Sequence, residues 1–420
     1  MSPARLVRAA TAAAIALAIG FTAAGCSSQP PATEKATKLT VWGYTPTDSV
    51  SAALKAYEKE SGTKVDYVVI PAPFEPTLLA KWTTGERPDV LMGQPNAAFL
   101  RKLQAPTTLA DLSDMDFVKQ QKYGLGRTGE LDGKVYSATF GFPTMFGVLY
   151  NKSVFQQNNV QVPKSYNELL SASKTLKDAG VTPIGFSGGD PWTLQMPLFG
   201  NLVDPLADGF IGEVNKKKAS FEDAPYVDAV TRTLELAKDG YTNSDFLTLT
   251  YADAVKQFEA GKIAMMPQGS WIVDMLTGDM TKYGFIPFPS TSGAVLKQSG
   301  NATAMQLPLT GNKAQESAAR DLVQYMTVGE GYKTYLTAQA EPSIVSDVAD
   351  PAKVNPITAE AAKLLDGAVP SLDSQTLVSL GDVPTLLSQA LDGSLTPAQV
   401  GAQVQRNYAE NASLAGIKGW

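Results

Sequence analysis

Residues 39–92 carry the reading that decides the fold: Leu39-Thr-Val-Trp-Gly43, then Asp48-Ser-Val-Ser-Ala-Ala-Leu-Lys-Ala-Tyr-Glu-Lys-Glu-Ser61 stopped by Gly62, then Val65-Asp-Tyr-Val-Val-Ile70 cut by Pro71, and finally Val90-Leu-Met92. The first and third segments are short and β-rich. Between them, Val50, Ala53, Leu54 and Tyr57 recur at helical spacing and Gly62 supplies a C-terminal stop. A second helix is expected from Glu75 to Thr84, ended by Gly85 and leading through Pro88-Asp89 into the third strand. This β-α-β-α-β order with short connections predicts a mostly parallel sheet covered on both faces, with any ligand at the C-terminal ends of its strands.

The alternation continues outward. Asp132-Gly133 between Glu130-Leu131 and Lys134-Val135 reads as a hairpin turn. Ser165-Tyr-Asn-Glu168 is a capping box opening a helix that Gly180 closes. Ala224–Lys238 is expected as a helix with Val227, Val230 and Leu234 on its inner face, and Tyr251–Ala260 as another, followed by the strand Ile263–Met266. Tyr283–Ile286 reads as a strand, and Ala314–Thr327 and Pro384–Leu391 as helices. No repeat of fixed period occurs, so two α/β domains are expected.

Composition narrows function. The chain has 420 residues, 44% hydrophobic and 18% charged, enough to bury two cores. Its 35 Lys and Arg stand against 41 Asp and Glu, for a net charge of −6, and this offers no positive field to a nucleic acid. Histidine is absent, which excludes Ser-His-Asp and Cys-His hydrolysis and His-ligated zinc. No metal and no cofactor is expected.

The N-terminus is read separately. Arg5 and Arg8 precede an uncharged Ala/Ile/Leu/Phe run from Ala9 to Phe21, the pattern of a secretory signal over residues 1–25. The run falls short of the ~20 residues that span a bilayer. Ala23-Ala-Gly-Cys26 resembles a bacterial lipobox, which makes Cys26 the lipidated first residue of the mature chain and the membrane a partner through its anchor. Cys26 is also the one cysteine, so the fold must hold without disulfides. Residues 26–38, rich in Pro, Ser and Thr, read as a flexible tether.

Three catalytic or metal motifs fail on context. Gly124-Leu-Gly126-Arg-Thr-Gly129 matches the dinucleotide string, but Lys119-Gln-Gln-Lys122 precedes it where an apolar strand is needed, and a hairpin follows. Asp111, Asp114 and Asp116 lack the spacing of a calcium loop and read as a solvated turn or helix start. Lys216-Lys-Lys218 reads as an exposed loop. A carboxylate pair for glycoside hydrolysis is set by space and stays open.

Several segments resemble one family, the carbohydrate-binding extracellular solute-binding proteins of ABC transporters, the group that includes maltose-binding protein. They are Gly133-Lys-Val-Tyr-Ser-Ala-Thr-Phe140-Gly-Phe-Pro with Leu149-Tyr-Asn-Lys152, Pro163-Lys-Ser-Tyr-Asn-Glu168-Leu-Leu with Gly180-Val-Thr-Pro-Ile-Gly, and Phe258-Glu-Ala-Gly-Lys262-Ile-Ala-Met-Met-Pro-Gln-Gly269-Ser-Trp271. With the lipobox and the opening Leu39-Thr-Val-Trp-Gly, the resemblance covers the mature chain. It implies a class II periplasmic-binding-protein fold: two doubly wound α/β lobes, residues 39–143 plus 303–347 and residues 144–302 plus 348–420. The lobes would be joined by crossovers near 141–146, 301–305 and 346–351, and would close over a ligand by hinge bending.

The same resemblance places ligand contacts. Trp192 and Trp271 would stack on sugar rings, whose C–H faces want flat aromatics. Gln94 and Asn96 would offer amides from the opposite loop, with Tyr44 on the rim, and Thr144, Asn301 and Asp382 would complete the set. Trp42 is assigned to the core. The protein implied is a monomeric, lipid-anchored receptor on the outer face of a bacterial membrane. It would capture a mono- or oligosaccharide and deliver it to ABC permease subunits, with no enzymatic chemistry. A receptor for a polyol or glycerol phosphate ester, or a surface carboxylate glycosidase, remains the alternative.

Overall fold

The computed structural model describes residues 36–298 and 303–420. Cys26, the signal segment, most of the tether and Asn301 lie outside the described residues. Twelve strands among the described residues form two sheets: β1 (Lys38–Gly43), β2 (Lys64–Val69), β3 (Val90–Met92), β4 (Gly129–Leu131), β5 (Lys134–Thr139), β6 (Thr144–Asn151), β7 (Thr182–Ile184), β8 (Ile263–Gly269), β9 (Tyr283–Ile286), β10 (Leu296–Gln298), β11 (Ala304–Gln306) and β12 (Val369–Pro370). The first sheet runs β2-β1-β3-β11-β5-β4 and the second β12-β10-β6-β8-β7, with β9 also on β6. Among the described residues no helix is long and apolar enough to cross a membrane.

The opening units fold as their pattern predicts. Helix Asp48–Ser61 is capped by Thr47, whose hydroxyl accepts from Val50 N, and ends at Gly62 with φ 74°. β1 lies parallel to β2 and to β3. Val90 and Met92 point to one face with Leu39, Val41 and helix Asp48–Ser61, whereas Leu91 and Trp42 point to the other with Phe74, Leu78 and Trp82. That period of two, apolar on both sides, is what a sheet covered on both faces requires. Trp42 is accordingly a core residue.

In the first sheet parallel pairing stops there, contrary to the expected mostly parallel sheet, while the second keeps parallel pairs only at β7–β8 and β10–β12. β11 returns from the second sheet and enters between β3 and β5 antiparallel to both, and the Asp132-Gly133 hairpin makes β4 and β5 antiparallel. In the second sheet the long β6 pairs antiparallel with β8 on one edge and with β10 and β9 along the other. A strand that arrives from the other sheet has no crossover helix to turn it around, so its direction is set by where it enters.

Local expectations also meet tertiary limits. Ser165 Oγ accepts from Glu168 N, but Glu168 Oε2 accepts from Lys164 N and not from Ser165 N, so half of the capping box forms. In helix Ala224–Lys238 the buried residues are Tyr226, Ala229, Val230, Thr233 and Leu236, while Val227 and Leu234 are half-buried. The helix is packed by three others, chiefly Gln195–Ala207 and Pro397–Leu414 and also Val383–Leu391, which turns its inner arc away from the predicted stripe. Asp111, Asp114 and Asp116 lie, as expected, in an exposed turn that opens helix Phe117–Gln120, and the turn also docks helix Lys313–Thr327: Arg320 binds Asp114 and the Asp111 carbonyl, and Gln324 donates to Asp116. Lys217 is likewise not idle, since it donates to Gly419 O and lies 4.8 Å from the Trp420 ring centroid.

Candidate functional site

Two cavities lie between the sheets, sharing Trp271 and Gln298 in their walls. The larger holds about 610 Å³. Gln94, Asn96, Glu75 and Lys102 line it from loops and helices beside the first sheet, and Trp192, Gln195, Trp271, Asp373 and Asp382 from the second-sheet side. The smaller, about 270 Å³, is lined by Thr144, Ser270, Trp271, Asp274, Gln339 and Glu341 among others.

Local chain chemistry fixes each tryptophan. β8 ends at Gly269, where a Cβ would stand 2.3 Å from the Trp271 ring, so the missing side chain lets the indole fold back over the strand end. Gly189 approaches the Thr248 and Leu249 carbonyls too closely for a Cβ, and Asp190 accepts from Tyr251 N at 2.7 Å, which pins the turn that presents Trp192. Tyr251 meets Trp192 edge-on at 5.1 Å. The two indoles sit 5.9 Å apart at 55°, too tilted to cover one another, and Trp192 is 37% exposed. Trp271 is braced edge-on by Phe146 at 5.5 Å.

The polar side is more constrained than its sequence reading. Asn96 Oδ1 caps helix Ala97–Lys102 by accepting from Phe99 N, and its Nδ2 donates to Gln94 Oε1 at 3.0 Å. Asn96 therefore positions Gln94 as much as it faces the cavity. Asp382 similarly caps helix Val383–Leu391, taking bonds from Thr385 N and Oγ1. Tyr44 lines neither cavity: its ring stacks on Phe74 at 3.7 Å, and burial raises its hydroxyl pKa with a Gln94 hydrogen bond opposing. Thr144 is brought in, but to the smaller cavity.

The sequence reading missed the charged wall. Glu75 and Lys102 form an ion pair across the larger cavity's edge, which brings a cation to it from a neighbouring helix. Asp373 is pushed up by burial. In the smaller cavity Glu341 accepts from Phe142 N at 3.0 Å and Tyr335 Oη at 3.1 Å. Burial, with Asp274 adding repulsion, raises Glu341 to about 7. Asp274 is itself raised by burial, opposed by a hydrogen bond from Gln339. Gln339 ends helix Glu330–Gln339 and Glu341 lies just beyond it; the helix has an unremarkable composition, and only proximity to the predicted third crossover could have flagged them. No metal-holding cluster of acids occurs among the described residues. The combination of open aromatic faces, amides and carboxylates suits a polyhydroxyl solute: hydroxyls donate to carboxylates, and apolar ring faces lie on indoles.

Residues 52–363 match the family profile of the bacterial extracellular solute-binding proteins. The chain belongs to that family. It is a family of receptors for solutes outside the cell and not of enzymes. Among curated relatives, the multiple sugar-binding protein of Streptococcus mutans is 22% identical over 342 residues, covering 77% of this chain and 80% of that one. Among solved structures, a chitin oligosaccharide binding protein superposes with a TM-score of 0.77 at 20% identity, covering 90% of this chain and 99% of the other. RafE in complex with raffinose gives 0.72 at 20% identity, with 90% and 99% covered. At these identities the structural likeness establishes the two-lobed fold of this solute-binding protein.

Proposed function

We propose that this solute-binding protein captures a mono- or oligosaccharide in the cavity between its sheets and presents it to ABC permease subunits from a lipid anchor at Cys26. The observation that carries the reading is the angled pair Trp192 and Trp271, open toward a 610 Å³ cavity that also receives Gln94, Glu75 and Asp373. Relatives named for sugar binding support it. Gln94, Trp192 and Trp271 are the principal contacts, Thr144 an inner contact, and Asn96 and Asp382 supports for the loops that bear them. Residues 39–143 plus 303–347 and 144–302 plus 348–420 act as the two closing lobes. Hinge bending at the three connections brings Gln94 onto a sugar already lying on the indoles. A monomer suffices for this, because one chain supplies both walls.

The test is a thermal-unfolding screen of the purified protein against neutral mono-, di- and trisaccharides. A ligand at 100 times its dissociation constant stabilises by about 2.7 kcal/mol. A saturable rise for one sugar class, absent in Trp271→Ala, is the expected result; no rise from any sugar in a cooperatively folded sample removes the carbohydrate assignment.

A further inference from the structure

A third hollow, about 300 Å³, opens where the connections between the sheets meet. It shares only Gln298 with the two cavities of the sugar site. One wall is the 3-10 segment Lys122–Arg127 with Thr128; the other is Lys297 of β10, Pro370 of β12 and Ser374, with Pro143 between them. The first wall is the glycine string that fails as a dinucleotide motif, and here it makes a cavity wall and not a strand-to-helix turn. Tyr123 and Gly124 both take left-handed backbone, φ 58° and 69°. For a tyrosine that conformation is strained. It leaves the ring 47% exposed beside the hollow.

The charges in this wall are of one sign. Arg127 and Lys297 line it and no carboxylate does, in a chain whose acids outnumber its bases. Arg127 engages Glu130 through Nε at 2.6 Å, and its two terminal nitrogens have no partner among the described residues. The Lys297 carbonyl accepts from Ser371 N at 2.9 Å, but its ammonium makes neither a hydrogen bond nor an ion pair among the described residues. Burial draws its amine below the ordinary lysine range, with the charge of Asp366 opposing. A half-buried ammonium that feels Asp366 without forming an ion pair with it gains from a ligand that supplies a direct counter-charge. The Tyr123 hydroxyl adds a donor beside the same space, whereas Thr128 Oγ1 donates to Leu125 O and Ser374 Oγ shares a hydrogen bond with Ser371 Oγ.

We propose that this hollow binds a small oxyanion group, a carboxylate or a phosphate, between Arg127 and Lys297. Arg127 leads into β4 of the first sheet and Lys297 sits in β10 of the second, so a bound anion joins the two sheets by charge-assisted hydrogen bonds on either side. Gln298 faces both this hollow and the sugar cavities. The same chemistry therefore serves a free anion beside the cleft or an acidic substituent on a sugar lying in it. The inference stands on the cationic wall alone and does not require the sugar reading.

The experiment is isothermal titration of the purified full chain with sodium phosphate, against sodium chloride at matched ionic strength, followed by titration with a neutral hexose and the corresponding uronic acid. Lys297→Met and Arg127→Gln are run alongside, with thermal unfolding in chloride to establish that each is folded. Saturable phosphate binding that weakens roughly tenfold or more in either variant supports the site and identifies a free anion as its occupant. Silent phosphate, with the uronic acid bound more tightly than the hexose and the difference erased by either variant, supports it with the anion carried on the sugar. Phosphate and chloride giving the same non-saturating response with no preference for the uronic acid overturns the proposal, as does a preference unchanged in both variants. Loss of neutral hexose binding alone overturns the sugar assignment and leaves the phosphate arm to decide this one.

Discussion

Replacing Glu341 by glutamine should remove the loss of stability that this carboxyl contributes as pH rises from about 4.5 to 8. Both described hydrogen bonds to Glu341 end on Oε2, from Phe142 N and Tyr335 Oη, so the proton of the neutral acid sits on the other oxygen and a glutamine amide can take its place. The folded-state pKa is raised to about 7 from an ordinary 4.5, chiefly by burial. The folded protein thus holds this proton through a range in which the unfolded chain has released it. Stability from this group is fully present below about pH 4.5 and is lost as pH rises through about 7. With about 1.4 kcal/mol for each pH unit separating the folded and unfolded pKa values, the full effect is ~3 kcal/mol. Water reaching the cavity lowers the figure toward ~2 kcal/mol. Urea unfolding of parent and Glu341→Gln at pH 5 and pH 8.5 reads it directly. The variant should match the parent within ~0.5 kcal/mol at pH 5 and exceed it by ~2 kcal/mol at pH 8.5. Equal pH slopes in the two proteins would refute the argument that this carboxyl is held neutral in the cavity wall.

Other substitutions separate contact from support. Trp192→Ala should change unfolding stability by less than ~1 kcal/mol, because the ring is 37% exposed, yet remove most of the sugar-induced rise in Tm. Asn96→Ala deletes the cap on Phe99 N and frees Gln94, so it should cost ~1 kcal/mol in urea unfolding and weaken sugar binding without abolishing it. Asp382→Ala should cost a similar ~1 kcal/mol through its cap on Thr385; unchanged titration with sugar would mark it as a support and not a contact.

Elements whose determinants are local were legible. Helix Asp48–Ser61 and strand Val90–Met92 appear with the bounds that their spacing and stops predict, and Gly62 takes the left-handed conformation its position demands. The hairpin at Asp132-Gly133 forms for the same reason. Where several elements compete for one surface, legibility fell. Helix Ala224–Lys238 buries Tyr226 and Thr233 because three helices pack on it, a fact no single-helix periodicity contains.

The candidate site divides along the same line. Trp192, Trp271, Gln94 and Asn96 each sit at a strand end or in a turn whose residues are adjacent in the chain, and one cavity gathers all four. Tyr44 is not gathered with them, since its ring stacks on Phe74, thirty residues on. Lys102 with Glu75, and Glu341 with Asp274, could not be read at all, because each pair is joined by contacts across the fold.

By itself the sequence determined the order of strands and helices, the family signature and the tryptophans at their glycine-rich turns, all of which depend on residues within a few positions of one another. The tertiary structure alone decided the direction of β11, the tilt between the two indoles, the acids of the inner cavity and the cationic hollow behind Gln298. Those follow from where the chain re-enters each sheet. Re-entry is governed by packing summed over distant segments, and the electrostatic character of a cavity is a property of the walls that such packing brings together.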